Sequence, residues 1–600
     1  MYDSIPARLQ KRGETHGHEV AHYTKSGSSW EPTTYKEFAD EVKQAAKALI
    51  HLGLESQHTV CILGFNRSEW VVFDVAAMSA GGAPAGIYTT CSPPEVQYII
   101  DHAEARIVLL ENEDQWAKVE AELANLPKLE HVVMMKGTKV EHDKVMSWED
   151  FLAKGDEVED AVFDERLGAI DPNQLATLIY TSGTTGPPKG VMLSFSNLTE
   201  TSNLVGKVVQ VGSDDSTLSY LPLSHIAEQM FTIHLPITYG VQVYFAESID
   251  KVADNIKEVQ PTVVFGVPRI WEKFYAGVTA KMKEATGMKK RIADWAQRVG
   301  REANAIKNQG KQPSGFLAWQ YNTANKLVYS KVKPALGLGR ARYCISGAAP
   351  IAKEVLEFFS GLDVIILEVY GQSEDSGPTT FNQPGNAKFG SVGPAVPTVE
   401  VKIADDGEIV VKGPNVFLGY YKDEAATNDA LIDGWLHSGD LGKFDEQGFL
   451  NITGRKKDII ITAGGKNIAP KNIEAALKNT PFIEEAVVIG DRRKFLSALL
   501  FLDQEAAKKW ASENGEPTTD LRNNAKLKAL IQADVDGVNK LFARVEHVRK
   551  WTVPAKPLSI EGGELTPTLK VKRAKVNAHY EEDIESMYAE GDAKQAESAA

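Results

Sequence analysis

Short apolar runs recur along the chain and alternate with longer amphipathic stretches. Two of these runs are each followed by a stretch of helical periodicity, at 70–79 and 114–126. Short apolar runs separated by helical segments are typical of α/β proteins with largely parallel sheets. The pattern therefore predicts an α/β fold, with strands at 59–63, 107–110, 175–180, 262–265 and 364–369.

Two segments depart from this alternation. Residues 282–333 are lysine-rich, dotted with aromatic residues and helical in pattern, with a Gly/Pro-containing break near 308–315. They predict a helical insertion in a larger domain. Residues 399–411 alternate apolar and polar side chains around an Asp-Asp-Gly turn, which predicts a β-hairpin.

A basic run, Arg455-Lys456-Lys457, follows Gly454 and marks a plausible domain boundary. It divides the chain into a large domain, 1–454, and a small C-terminal domain, 455–600, of typical domain size. The tail after residue 580 is acidic and alanine-rich, and we expect a frayed helix there.

Composition narrows the function classes. The chain has 600 residues, 43% hydrophobic and 24% charged, as in a soluble globular protein of at least two domains. Its formal net charge of −15 argues against a broad nucleic-acid surface. Three widely spaced cysteines show no metal-ligand spacing and favour a reducing compartment. No secretory signal or membrane span is predicted, so we expect a cytoplasmic protein, with peripheral membrane association left open.

The segment 180–190, YTSGTTGPPKG, is the strongest chemical signal. Glycines let backbone N–H groups approach an anion, while hydroxyls add donors and lysine adds charge. The segment is not a Walker A loop, because no Gly-Lys-Ser/Thr occurs at the required spacing. It predicts a phosphate cradle formed by Thr181, Ser182, Gly183, Thr184, Thr185, Gly186 and Lys189.

With this loop, six further segments in the same order make the chain resemble the adenylate-forming superfamily. That superfamily contains acyl-CoA synthetases, peptide-synthetase adenylation domains and luciferases. The other matching segments are LPLSHIAEQ (221–229), SGAAP (346–350), YGQSE (370–374), LHSGD (436–440), GRKKD (454–458) and LTPTLKVKR (565–573). Seven ordered coincidences make the resemblance highly specific.

The resemblance implies a fold and a reaction. The large domain would hold two parallel-rich α/β sheets and a β-rich subdomain, and a small mobile C-terminal α+β domain would follow. The substrate carboxylate would attack the α-phosphorus of ATP. Because the substrate is itself the nucleophile, the site must mainly neutralise charge and hold the groups in line.

Roles carried over from the family assign the nucleotide site. Thr181 and Glu374 would position Mg²⁺, a hard cation that prefers oxygen ligands. Asp440 and Arg455 would bind the ribose, and Tyr370 would stack on adenine. Four further positions complete the adenine-contacting and following motifs: Gly347, Ala348, Gly371 and Ser373.

Other roles concern the acid, the hinge and coenzyme A. His225 would lie beside the substrate carboxylate, and Lys570 would reach in from the small domain to stabilise charge during adenylation. Lys457 resembles the hinge position, and Gly464 and Gly465 resemble the channel for the thiol of coenzyme A.

Three positions depart from the family pattern. Ser373 stands where threonine is frequent and retains the hydroxyl. Glu368 stands where an amide often contacts adenine, and its pairing is open at this stage. Leu569 stands where glycine commonly precedes the catalytic lysine. Leucine is normal there in the bubblegum-type long-chain acyl-CoA synthetases, which the runs at 266–274, 455–470, 490–500 and 559–573 also resemble.

The leading hypothesis is therefore an AMP-forming ligase that joins a long-chain fatty acid to coenzyme A. One alternative is a ligase that loads a separate carrier protein, and another is a catalytically silent nucleotide- or lipid-binding protein. A zinc protease is a weak alternative from the HExxH match at 18–22. Its β-branched and aromatic neighbours favour a strand, on which His18 and His22 would lie too far apart to share one zinc ion.

Overall fold

A computed structural model describes residues 2–181, 187–566 and 570–597, with side chains in the last helix described as far as residue 589. The α/β prediction is confirmed, because mostly parallel sheets are combined with intervening helices. The helices are Ile5–Thr15, Tyr35–His51, Ser68–Ser79, Pro93–Ala103, Glu113–Ala121, Trp148–Lys154, Asp160–Gly168, Phe195–Val208, Ile226–Gln229, Leu235–Tyr239, Val252–Val259, Pro268–Glu284, Gly287–Lys307, Gly315–Ala324, Ser330–Ala335, Lys353–Gly361, Glu424–Ala430, Pro470–Lys478, Gln504–Glu513, Ala525–Asn539, Arg573–His579 and Glu581–Glu597.

Sheet I has eight strands, and its six central strands are parallel. An antiparallel strand closes each edge. In spatial order the strands are Thr380–Phe381, Ile366–Tyr370, Tyr343–Ser346, Val263–Gly266, Ser216–Ser219, Gln242–Phe245, Val20–Ser26 and Ser29–Thr34.

Sheet II also has eight strands and carries the hairpin that flanks the phosphate-loop segment. Its strands Thr59–Leu63 and Ala83–Ile87 are buried along their whole length. Burial on both faces explains why these strands appear as continuous apolar runs. In spatial order the strands are Gly419–Tyr420, Lys189–Ser194, Leu175–Thr181, Ala83–Ile87, Thr59–Leu63, Ile107–Leu110, His131–Met134 and Val145–Met146.

Sheet III is antiparallel and is formed by residues between 400 and 455. The predicted hairpin is present, with Glu400–Ile403 paired to Glu408–Lys412 and Gly407 at φ +86° in its turn. Gly407 adopts the left-handed conformation that favours glycine. The remaining strands are Leu431–Ile432, Trp435–Phe444 and Leu450–Arg455.

The C-terminal part has its own apolar core around a mixed three-stranded sheet. The expectation of a frayed C-terminal helix is wrong for its first two turns. Ile584, Met587 and Tyr588 are buried in a cluster with Val487 and Leu499 of that sheet. The strands are Ile483–Ile489, Leu496–Leu502 and Val548–Thr552, preceded by the small hairpin Ile460–Ile461 and Asn467–Ile468.

Among the described residues, no helix combines the length and apolarity needed to cross a bilayer. The predicted insertion consists of the helices Gly287–Lys307 and Gly315–Ala324, continued by a π-helical turn at Asn325–Tyr329. It packs on the large domain through contacts such as the bond from the Asn304 amide to the Ser360 carbonyl (2.8 Å).

Candidate active site

The phosphate-loop hairpin lies at the edge of sheet II. Thr181 pairs with Lys189 across two antiparallel strands, which brings the two ends of the segment together. The predicted cradle residues 182–186 lie outside the described residues. The Lys189 ammonium lies 4.8 Å from the centre of the Tyr420 ring and 3.5 Å from the Asp423 carboxylate. These two partners place the lysine beside the strand Gly419–Tyr420.

Glu374 faces the same strand. The Tyr420 hydroxyl donates a hydrogen bond to Glu374 Oε1 (2.8 Å). The Glu374 carbonyl accepts from the Phe417 N–H (2.9 Å), so both the backbone and the side chain are anchored. The carboxylate is half-buried and offers hard oxygen ligands, which suit a magnesium ion.

Asp440 is held from three directions. Its Oδ2 accepts from the Tyr370 hydroxyl (2.9 Å) and from Gln372 Nε2 (2.7 Å). Arg455 lies opposite Asp440 in an antiparallel strand pair, with its Nε 3.6 Å from Oδ1. Gln372 Nε2 also donates to the Ser438 carbonyl (2.8 Å) and so ties the YGQSE turn to the Asp440 strand.

The adenine-contacting segment follows the strand Tyr343–Ser346. Gly347 is buried against Val369, where a Cβ would approach a Val369 methyl to 2.7 Å. Ala348 has a φ of +67°, in the left-handed region that non-glycine residues seldom occupy. Such backbone outliers often occur at ligand-binding turns.

Glu368 and the YGQSE turn show close packing. Glu368 Oε2 accepts from the Gly390 N–H (3.0 Å), which supplies the partner that the sequence left open. Burial raises the pKa of Glu368 to about 8, so the neutral carboxyl is favoured at neutral pH. At Gly371 a Cβ would lie 1.4 Å from the Gly377 carbonyl oxygen, so only glycine fits. Ser373 is buried two residues later.

His225 caps the start of a short helix. Its Nδ1 accepts from the Ala227 N–H (3.2 Å) at the start of Ile226–Gln229. Burial lowers the pKa of His225 to about 4, and the charge of Lys570 adds to this effect. The imidazole is therefore neutral near pH 7. Buried Glu228 accepts bonds from Ser219 Oγ and Thr232 Oγ1 and fixes the same helix.

Lys570 comes from the C-terminal part but lies among the groups of the large domain. Burial lowers the pKa of Lys570, and the charges of Arg455 and Lys471 lower it further, while Glu374 and Asp440 oppose this shift. The residue is nevertheless exposed, so solvent enters the space between Lys570, Glu374 and Asp440, which we call the cleft. An ion pair between Arg269 and Glu484 (3.0 Å) also joins the two parts in this orientation.

Three other predicted residues are exposed at the surface. Lys457 is exposed in the turn Lys456–Asp458. Gly464 and Gly465 are exposed at the tip of the C-terminal hairpin, where a Cβ would meet only Thr462 of the same hairpin. Residues 567–569, which include Leu569, lie outside the described residues.

Sequence reasoning missed several contributors to the site. Gln372 lies inside the YGQSE motif, but the sequence of that motif gave no sign that its side chain would donate a hydrogen bond to Asp440. Tyr420, Asp423 and Lys471 lie in segments without a recognised pattern. Contacts between distant segments reveal them: Tyr420 bonds to Glu374, Asp423 pairs with Lys189, and the charge of Lys471 acts on Lys570.

The HExxH match does not form a metal site. His22 is buried between Phe38 and Phe245, and its Nε2 lies 2.9 Å from Ser68 Oγ. His18 is exposed and precedes the strand, which begins at Val20, so the expected strand does not include it. Across the described ranges no cluster of three His, Cys, Asp or Glu side chains could hold a metal ion.

Solved structures share this fold. The anthranilate CoA ligase AuaEII, crystallised with anthranoyl-AMP, aligns with a TM-score of 0.73 at 20% identity, covering 97% of this chain and 98% of that one. The adenylation domain of a carboxylate reductase from Mycobacterium chelonae aligns with a TM-score of 0.74 at 22% identity, covering 98% of this chain and 91% of that one. At these identities the likeness supports the fold alone.

Sequence comparison identifies the family. Residues 9–421 match the model of the AMP-binding enzymes, and residues 457–592 match that of the AMP-binding enzyme C-terminal domain. The long-chain-fatty-acid–CoA ligase ACSBG2 of Xenopus laevis is 40% identical, covering 98% of this chain and 84% of its own length. The human ACSBG2 is 38% identical, covering 98% and 92%. The chain therefore belongs to the adenylate-forming AMP-binding enzymes, within the group of bubblegum-type acyl-CoA synthetases.

Proposed function

We propose that this protein activates a long-chain fatty acid with ATP and transfers the acyl group to coenzyme A. The position of Lys570 carries the proposal. A lysine from the C-terminal part shares one cleft with Glu374, Asp440 and Arg455, although more than a hundred residues separate it from each of them.

The first step joins two anions. A carboxylate oxygen attacks the α-phosphorus, the bond to the β-phosphate bridging oxygen breaks, and pyrophosphate leaves. Negative charge gathers between the carboxylate and the α-phosphate, where a cation that is already in place lowers the barrier. Lys570 supplies that cation. His225 presents a neutral imidazole, so it can accept or donate a hydrogen bond without adding charge.

Nucleotide binding uses the remaining groups. Asp440, oriented by Tyr370 and Gln372, accepts from the ribose hydroxyls, and Arg455 adds a donor beside it. Tyr370 stacks on adenine beside the turn of Gly347 and Ala348. Residues 182–186 and Lys189 bind the triphosphate, and a magnesium ion held by Thr181 and Glu374 would neutralise phosphate charge when bound.

In the second step the thiolate of coenzyme A attacks the acyl carbonyl and AMP leaves. The hairpin with Gly464 and Gly465 is exposed, and a Cβ placed at either glycine would meet no other part of the chain. Rotation of residues 455–600 about Lys457 would remove Lys570 from the cleft and bring that hairpin to the thiol path. Use of one site for two steps in this way is a form of conformational gating.

Replacement of Lys570 by alanine tests the assignment. We expect Lys570→Ala to lose fatty-acid-dependent ATP–pyrophosphate exchange by at least about a hundredfold, the scale for loss of an electrostatic stabiliser. Thioester formation from supplied acyl-AMP and coenzyme A should largely remain. Lys572→Ala, a change of a nearby lysine, serves as the control. Unchanged exchange in Lys570→Ala would reject the role.

Substrate range needs a direct assay. AMP release should depend on a fatty acid, on ATP and on coenzyme A, and should be greatest with long chains in a series from C2 to C24. Transfer to a phosphopantetheinylated carrier protein but not to coenzyme A would instead favour a carrier-loading ligase. We also place the protein in a cytoplasmic, reducing compartment, which the three buried free thiols support.

A further inference from the structure

The helical insertion carries an exposed aromatic pair. Phe316 is 72% exposed and Trp319 is 61% exposed, one turn apart on the helix Gly315–Ala324. Their rings stack with centroids 5.6 Å apart and planes inclined by 18°. Leu327, which follows in the π-helical turn, is 47% exposed. These three side chains form an apolar ridge on the outer surface of the insertion.

The protein itself uses the opposite face of this segment. Ala324 and Tyr329 pack in a small core with Ala296 and Val299 of the helix Gly287–Lys307. The Tyr329 hydroxyl donates to the Ala296 carbonyl (2.5 Å). The fold therefore fixes the segment with one apolar face inward, and the ridge is a second apolar face that packing does not require.

The segment that carries the ridge is strongly basic. Residues 282–333 contain eleven Lys or Arg against three Asp or Glu, a net charge of +8 in a chain whose net charge is −15. Exposed cations that form no ion pair with any described residue are Lys283, Lys289, Arg291, Arg298, Arg301, Lys311, Lys326 and Lys331. Together with the ridge they define what we call the docking surface.

We propose that the docking surface binds an anionic lipid bilayer. Phe316, Trp319 and Leu327 would enter the boundary between headgroups and acyl chains, while exposed cations of the same segment contact acidic headgroups. Tryptophan and phenylalanine on a helix flanked by lysines are the residues that anchor interfacial helices. Each basic side chain near an acidic membrane strengthens binding about fivefold.

Charge argues against a second copy of this chain as the occupant. In a symmetric dimer through this surface, each basic patch would face its own copy, and like charges would repel. A bilayer offers both an apolar layer and a negative surface. If the proposed function is correct, the bilayer would also contain the fatty-acid substrate. Vesicle binding itself does not depend on catalysis, so the two proposals can fail separately.

Sedimentation with lipid vesicles tests the proposal. Full-length protein should bind vesicles that contain about 30% phosphatidylserine but not pure phosphatidylcholine vesicles, and salt should weaken the binding. We expect Phe316→Ser/Trp319→Ser to bind at least about tenfold more weakly, through lost apolar burial. Lys326→Gln/Lys331→Gln should bind about 25-fold more weakly.

Controls separate docking from folding. Leu541→Ser removes a side chain that is 65% exposed in the C-terminal part and should leave vesicle binding unchanged. Every variant should keep the melting temperature, and also the turnover of detergent-dispersed substrate, because none of these residues lies in the cleft. Equal vesicle binding by wild type and the Phe316/Trp319 variant would overturn the proposal. The proposal would also be overturned if the wild-type protein did not bind the vesicles, or if the wild-type protein were a dimer and this variant a monomer.

Discussion

The bond from Gln372 to Asp440 makes a sharp prediction about ATP affinity. Gln372→Ala removes a donor 2.7 Å from Asp440 Oδ2 and the bond to the Ser438 carbonyl. The Asp440 side chain is only 14% exposed, so water replaces the lost donor poorly. A hydrogen bond to a charged group contributes about 1.5–3 kcal/mol.

Since Tyr370 and Arg455 still hold Asp440 in this variant, we expect the lower end of that range for ATP binding. A loss of about 1.5 kcal/mol corresponds to a rise of roughly tenfold in the KM for ATP. ATP–pyrophosphate exchange at saturating fatty acid measures this constant. The KM for the fatty acid should stay within about twofold, because the change lies on the nucleotide side of the site.

Gln44 offers a matched control. Its Nε2 also donates to a backbone carbonyl, of Leu152 (2.9 Å), and to a carboxylate, of Asp156 (2.8 Å), and its side chain is also half-buried. Gln44→Ala should lower the free energy of unfolding by about 1–2 kcal/mol and leave the KM for ATP unchanged. If Gln372→Ala behaves in the same way, Gln372 supports the fold alone and the reasoning fails.

Two further predictions concern stability at the site. Glu368→Gln should stabilise the protein increasingly from pH 4.5 to pH 8, by at most about 5 kcal/mol. Burial raises the pKa of Glu368 to about 8, so the wild-type carboxyl loses folding free energy as the pH rises above its unfolded pKa. Chemical unfolding of both proteins at pH 5 and pH 8 measures this difference in stability, and a difference that does not change with pH would contradict the prediction. Gly371→Ala should lower the free energy of unfolding by more than about 3 kcal/mol and remove most activity, because its Cβ would meet the Gly377 carbonyl oxygen at 1.4 Å. The control Gly537→Ala places a Cβ in open space on a helix and should raise the free energy of unfolding by about 0.5–1 kcal/mol. Thermal unfolding compares the two variants, and similar melting temperatures would refute the steric argument.

Some of the site followed directly from local sequence. The strands Thr59–Leu63 and Ile107–Leu110 have the predicted bounds, because strands covered on both faces need continuous apolar runs. The contiguous motif YTSGTTGPPKG predicted a phosphate site, since it concentrates its donors in a few successive residues, whereas YGQSE acquired its role only from the resemblance. The resemblance then linked these motifs into one reaction.

The sequence by itself therefore determined the fold class, the family and most of the residues that we assign to the nucleotide. Only the tertiary structure decided which of them meet. It brought Gln372 and Tyr370 to Asp440, gave Glu368 the Gly390 N–H as its partner, and placed Lys570 within reach of the charges of Glu374 and Asp440. It also showed the second apolar face of the insertion. These features depend on contacts between residues far apart in the chain, which short-range periodicity does not encode.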